Sequence, residues 1–371
     1  MNRELFQNAF EKGMRITENH LKDFEGGFPA PASEHNRYPK IENNDWTAGF
    51  YTGILWMCYE YSGKEVFRQW AEKQLESFRY RIDHRVVVDH HDMGFIYSLS
   101  CVAAYKITGN EFAKETALLA ADNLKSRFRE KGQFIQAWGE LDTSDNYRLI
   151  IDCLLNLPIL YWATEVTGDP SYRKCAEKHL ETTRKVIYRP DYSTYHTYYF
   201  DLETGKPAYG ATKQGYSNES TWSRGQAWGV YGLMLNYMYN KIDSIPDEWH
   251  KVTDYFLAHL PEDKAAYWDF HFMDGPEPRD SSASAIAVCG ILEAYKQGVC
   301  DESYLEKAYE ILESLAKNYA APENEEVNGI LLHSTYGRLL GDGIDECCLW
   351  GDYFYMEALM RVLREDWKPY W

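Results

Sequence analysis

The sequence predicts an all-α protein, an (α/α)6 barrel whose helix hairpins close into a ring that takes up residues 1–371 as a single domain. Three observations lead there. Apolar residues recur at three- and four-residue steps along most of the chain, as in Phe67, Trp70, Ala71, Leu75 and Phe78, or Phe112, Thr116, Leu119, Ala120 and Leu124. Convincing strand alternation is scarce, the best short candidates being Arg85 to Val88 and Tyr195 to Tyr199. A unit made of an apolar helix, a Ser/Thr-Gly stop and a more charged helix recurs six times.

The first unit reads Trp46-Thr47-Ala48-Gly49-Phe50-Tyr51-Thr52-Gly53, stops at Ser62-Gly63 and enters its second helix through Phe67. The second begins at Asp92-Met93-Gly94-Phe95, stops at Thr108-Gly109 and continues through Phe112. The third begins at Asp152, stops at Thr167-Gly168-Asp169-Pro170 and continues through Tyr172. Looser units start near Arg224-Gly225-Gln226-Ala227-Trp228-Gly229, near Ser281–Ser284 and at Trp350-Gly351-Asp352-Tyr353. An open array of such hairpins needs polar caps at both ends. Both ends here carry aromatic sequence, so closure is expected. Closure also explains how 371 residues form one domain, although single cores usually stop growing near roughly 250–300 residues. In a closed ring the inner helices run parallel, which gathers their amino-terminal ends at one mouth.

Composition narrows the function. The net charge is −18 and no Lys/Arg cluster stands out, which argues against nucleic-acid or anionic-membrane partners. No stretch is apolar enough to span a bilayer. The first eight residues lead into a charged amphipathic segment without an apolar secretory core, and the eight cysteines form no C-x-x-C pair. Reduced cysteines and a cytoplasmic location are the expectation. Aromatics reach 16%, enough for a large core, a stacking surface for ligands, or both.

The expected mouth collects Asp45 and Trp46, His91 and Asp92, Arg148 and Asp152, then Trp222, Arg224, Gln226 and Trp228. Asp280 with Ser281 and Ser282, and Trp350 with Asp352, complete it. Aromatic faces stack on the C–H surfaces of pyranoses, and carboxylates bind hydroxyls or move protons, so the set reads as a sugar site. Asp152 is a single acid in the apolar run Leu149 to Leu160, and burial beside a second carboxylate would raise its proton affinity. Helix capping is the other reading of Asp92 and Asp152. Arg224, set among tryptophans and glycines, fits either capture of a carboxylate or a structural ion pair. Adjacent histidines such as His90 and His91 rarely chelate one ion, and no phosphate loop or nucleophile elbow is present.

At these residues the chain resembles the unsaturated glucuronyl hydrolases, glycoside hydrolase family 88. The resemblance rests on Asn44-Asp45-Trp46-Thr47-Ala48-Gly49-Phe50, His90-His91-Asp92-Met93-Gly94-Phe95, Arg148 to Pro158, Trp222-Ser223-Arg224-Gly225-Gln226-Ala227-Trp228 and Trp350-Gly351-Asp352-Tyr353-Phe354-Tyr355. It implies release of a C4=C5 unsaturated uronate from lyase-generated oligosaccharides by hydration of the vinyl ether. By position it implies Asp152 as general acid/base and Asp92 as the second essential aspartate. It places His91, His196, Gln214 and Arg224 around the uronate, and Trp46, Trp138, Trp222 and Trp228 as the aromatic wall. No metal or organic cofactor is expected. Members preferring sulphated substrates resemble one another in a Ser- and Lys-bearing segment before the last inner helix. Residues 337–346 here contain neither, so an unsulphated substrate is expected. The alternatives are an unsaturated rhamnogalacturonyl hydrolase, an inverting glycosidase, an epimerase using His91 and His196, or a non-catalytic glycan binder.

Overall fold

The ring is built from helices whose stops are written in the sequence. A computed structural model describes residues 1–371. The chain opens with α1 (Arg3–Asn19) and then forms the first hairpin, α2 (Ala48–Ser62) and α3 (Glu65–Asp83). In the second, α4 (Met93–Tyr97), a wide π-type turn at Ser98–Val102 and α5 (Ala103–Thr108) make one bent helix that returns through α6 (Glu111–Ser126). The third pairs α7 (Cys153–Asn156) and α8 (Pro158–Thr167) with α9 (Pro170–Val186). Then come α10 (Ser223–Asn240) with α11 (Ile245–Ala258), α12 (Ser281–Lys296) with α13 (Glu302–Ser314), and finally α14 (Leu349–Leu363).

Gly63, Gly109 and Gly168 end the first three inner helices at φ of 68°, 71° and 77°, the left-handed region that L side chains avoid. Each donates its N–H back to the preceding turn. The Ser or Thr before each glycine adds a bond to the carbonyl four residues earlier: Ser62 to Cys58 at 2.6 Å, Thr108 to Ala104 at 2.7 Å and Thr167 to Ala163 at 2.6 Å.

The inner ring is α2, α4–α5, α7–α8, α10, α12 and α14, with α14 packed against α2 to close it. This is the expected (α/α)6 barrel. The last hairpin differs from the sequence expectation: no charged helix follows α14, and α1 packs there instead. A ring brings its first and last helices together, so the missing partner comes from the other end of the chain. One continuous apolar core runs from Phe6 to Trp371. No helix is long and apolar enough to cross a membrane.

Two local expectations are corrected. Arg85 to Val88 is a turn, with Arg85 and Val87 at φ of 54° and 46°. On α6, Phe112 and Leu119 are 39% and 36% exposed, while Ala113, Ala117, Ala120 and Ala121 face the core with Thr116 and Leu124. Alanines let the outer helix approach closely, and the buried face rotates toward them.

Short strands frame the ring. β1 (Phe28–Pro29) pairs with β2 (Lys40–Ile41), and β3 (Phe128–Arg129) with β4 (Phe134–Ile135). β5 (Arg148–Ile150), β6 (Thr197–Phe200) and β7 (Pro207–Ala211) form an antiparallel sheet, β6 overlapping the strand expected at Tyr195 to Tyr199. β8 (Ser334–Gly337) and β9 (Asp342–Glu346) form the hairpin that leads into α14.

Candidate active site

Two aspartates meet because two helices touch. A Cβ added to Gly94 would lie 2.5 Å from the Asn156 Cα, and the Phe95 N–H donates to the Asn156 side chain at 2.8 Å. The start of α4 is thereby locked onto α7. Asp92 and Asp152 immediately precede these helices, and neither side chain caps its own helix. A carboxylate oxygen of each and a ring nitrogen of His91 lie within 4.8 Å of one another. His91 Nε2 stands 3.4 Å from Asp92 Oδ1 and 3.3 Å from Asp152 Oδ1.

The two acids are driven apart electrostatically. Burial, and then the charge of Asp92, push the Asp152 carboxyl well above its ordinary value. Its Oδ1 is buried without a hydrogen-bond partner, as suits an acid that keeps its proton. Burial alone would raise Asp92 as well, but His91, His90 and Arg81 outweigh it and hold that carboxyl below its usual range. Burial brings His91 down to about 4 and His196 down to about 3, so both imidazoles are neutral near pH 7. The backbone N–H of Lys213 donates to His196 Nδ1 at 3.0 Å, which leaves the ring proton on Nε2.

A cavity of about 470 Å³ opens above this pair. It is lined by all ten residues to which the family resemblance gives a role: Trp46, His91, Asp92, Trp138, Asp152, His196, Gln214, Trp222, Arg224 and Trp228. Trp46 stacks on Trp350 (5.1 Å, 27°) and donates its indole N–H to the Tyr336 hydroxyl at 3.0 Å. Trp138 is 43% exposed, with the Arg148 guanidinium 4.1 Å from its ring centre.

Arg224 is already committed. It ion-pairs with Asp280, also donates from Nη1 to the Thr335 carbonyl, and donates from Nη2 to the Tyr336 carbonyl. Its guanidinium lies between the rings of Trp222 (4.5 Å) and Trp350 (4.8 Å). Both Nη groups are thus occupied by the structural ion pair and the β8 strand, although the residue still lines the cavity.

Residues 21–361 match the sequence pattern described as Glycosyl Hydrolase Family 88. The chain belongs to this family. As such it is a glycoside hydrolase. Among its relatives is the unsaturated chondroitin disaccharide hydrolase of Streptococcus pneumoniae, 46% identical over 100% of this chain and 95% of that one. The crystal structure of unsaturated glucuronyl hydrolase from Streptococcus agalactiae is similar with a TM-score of 0.97 and 44% identity, covering 100% of this chain and 94% of that one. A mutant of that S. agalactiae enzyme, complexed with dGlcA-GalNAc6S, is similar with a TM-score of 0.87 and 41% identity, covering 99% and 93%.

Several acids and aromatics expected at the mouth do other work in this family 88 chain. Asp352 faces away from the cavity and accepts from the N–H groups of Ile330 (3.0 Å) and Leu331 (2.7 Å) and from the Tyr38 hydroxyl (2.9 Å). Burial pushes its carboxyl up to about 7. Gln226 ties Thr194, Tyr192 and Val252 together through its side-chain amide. Trp350 donates to Ser282, which in turn donates to Asp280, behind the wall. Conversely, the cavity includes Val87, Lys213, Tyr336 and Leu340, which lie outside the helix repeats and the motifs that carry the resemblance. His91, Asp92 and Asp152 present donor atoms of the right kind and spacing to hold a divalent ion. The opposed carboxyls and neutral His91 account for the same arrangement as a proton-transfer site.

Proposed function

We propose that the protein removes the C4=C5 unsaturated uronic acid from the non-reducing end of lyase-generated oligosaccharides of glycosaminoglycan, gellan or xanthan type. The observation that carries this reading is the pair of buried acids with opposed proton affinities, Asp152 high and Asp92 low, at the floor of an aromatic cavity. The S. agalactiae complex with dGlcA-GalNAc6S supports a substrate that begins with an unsaturated uronate.

In this mechanism the Asp152 O–H gives its proton to C4, and the double-bond electrons form the new C–H bond. Positive charge develops at C5 and the ring oxygen, where the Asp92 carboxylate stabilises it. Water adds to C5 and returns a proton to Asp152. The resulting hemiketal opens, and the remaining sugar leaves with its oxygen. Overall one water is consumed and Asp152 ends as it began. Trp138 and the other tryptophans hold the sugar rings, and His196 offers Nε2–H to a substrate oxygen. The whole chain, 1–371, acts as one catalytic domain. Eight cysteines without a disulfide support a reducing, cytoplasmic setting.

Neither a rhamnogalacturonyl hydrolase nor an epimerase is favoured. The relatives are glucuronyl and chondroitin disaccharide hydrolases, and a His91–His196 pair that stays neutral lacks the acid an epimerase needs. The test supplies an unsaturated uronyl disaccharide and follows the ultraviolet absorbance of the double bond together with release of the second sugar. Both change together if the double bond is hydrated. Release with undiminished absorbance would establish direct attack at C1 instead.

A further inference from the structure

Val87 is a β-branched residue in a left-handed conformation, φ 46°, which such side chains rarely adopt without a reason. The turn is held by two groups. Arg81, 1% exposed, donates to the carbonyls of Val86 (3.1 Å), Val87 (2.8 Å) and Asp45 (2.7 Å) and to the Asn43 side chain (3.0 Å). His90 Nε2 donates to the same Val87 carbonyl at 2.9 Å, and its Nδ1 accepts the Asp92 N–H at 3.1 Å. The carbonyl therefore explains the fixed backbone, but it does not explain the side chain. Glycine would give the same carbonyl at less conformational cost, yet a valine stands there, 57% exposed and lining the catalytic cavity.

A second exposed apolar side chain lines the same cavity. Leu340, at the tip of the β8–β9 hairpin, is 70% exposed. Tyr336 and Trp46, joined by the indole hydrogen bond, and Asp45, whose carbonyl Arg81 holds, line the cavity with them. The acids are far less exposed than these two side chains, so Val87 and Leu340 stand at the open mouth of the cavity, the part that meets whatever is attached to the uronate.

We infer that Val87 and Leu340 form an apolar grip on the leaving sugar, which makes Val87 a specificity-determining residue for that sugar. This rests on the function proposed above and names the side of the substrate it concerns: a leaving sugar that turns its C–H face, and no charged substituent, toward these two side chains. The strained turn holds the valine out into the mouth while its carbonyl keeps His90 in place beside Asp92.

The test compares the parent with Val87→Gly and Leu340→Ala on two substrates, an unsulphated unsaturated uronyl disaccharide and the same uronate carrying only a methyl group. Val87→Gly keeps the carbonyl and removes only the side chain, so its melting temperature should equal or exceed that of the parent. Its KM for the disaccharide should rise about fivefold with kcat little changed, the scale of one partly buried apolar contact, while the methyl glycoside is turned over as before. Leu340→Ala, on a separate hairpin, should show the same split. Equal effects of Val87→Gly on both substrates, or none on either, would overturn the inference and leave the proposed reaction standing. A parent that consumes neither double bond would instead overturn the reaction itself.

Discussion

Replacing Asp152 by Asn tests the proton-transfer assignment with the least disturbance to the fold. The side chains are nearly isosteric, and Asp152 Oδ1 has no hydrogen-bond partner to lose. The structural bonds at this residue are made by its backbone carbonyl, which accepts from Leu155 N–H at 2.9 Å and from the Asn156 side chain at 3.2 Å. What disappears is the transferable proton. General acid–base catalysis is worth about 10²–10⁴ in rate, or about 3–5 kcal/mol of barrier, so kcat should fall by that factor. Calorimetry should find the disaccharide Kd within about threefold of the parent's, well under 1 kcal/mol. Stability should move the other way. A buried carboxyl with a raised folded-state pKa leaves the unfolded chain to ionise first, so it weighs against folding as pH rises above the ordinary carboxyl value. The melting-temperature advantage of the Asn variant should therefore be absent in acid, grow with pH, and level off above the folded value. An Asn variant that retains kcat within tenfold of the parent refutes the role given to Asp152.

The same electrostatics predicts a bell-shaped pH dependence of kcat/KM. The alkaline limb follows loss of the Asp152 proton, and in Asp92→Asn it should move to lower pH, because the charge that raises Asp152 is gone; an unmoved limb would show that the two acids are not coupled. Arg224→Ala should lower stability by about 3–5 kcal/mol in denaturant unfolding, since it leaves Asp280 as an unpaired charge in the core. A loss confined to KM would instead make Arg224 chiefly a substrate contact. Dialysis against a chelator should leave kcat unchanged, and a loss restored by a divalent cation would turn His91, Asp92 and Asp152 into a metal centre.

Much of the architecture was legible because it is local. Ser62-Gly63, Thr108-Gly109 and Thr167-Gly168 announce their turns within a few residues, and the inner helices show as nearly unbroken apolar runs, buried from Ala48 to Cys58 in α2 and from Ser223 to Asn236 in α10. The closing of the ring by α1 was not legible, since nothing near Arg3 to Asn19 says that it completes a hairpin begun at Leu349. Of the ten cavity residues, seven followed from the starts of the inner helices and Trp138, His196 and Gln214 from the family resemblance, whereas Val87, Lys213, Tyr336 and Leu340 came only from the folded chain. They sit in turns and a hairpin with no periodic signal, and reach the cavity because the ring brings distant loops together.

The acids mark the boundary most clearly. Asp92, Asp152, Asp280 and Asp352 all stand at or just inside the start of an inner helix, and by their place on the helix repeat they are equivalent. The fold separates them by what it places nearby. Asp280 meets Arg224, Asp352 meets two backbone N–H groups and the Tyr38 hydroxyl, and both are thereby held in structural roles. Asp92 and Asp152 meet each other across Gly94 and Asn156, with a neutral histidine between them. The sequence determined where carboxylates would stand along the ring. Which of them would exchange a proton was decided by groups a few ångströms away in space and far away along the chain, because a buried charge answers to its nearest neighbours.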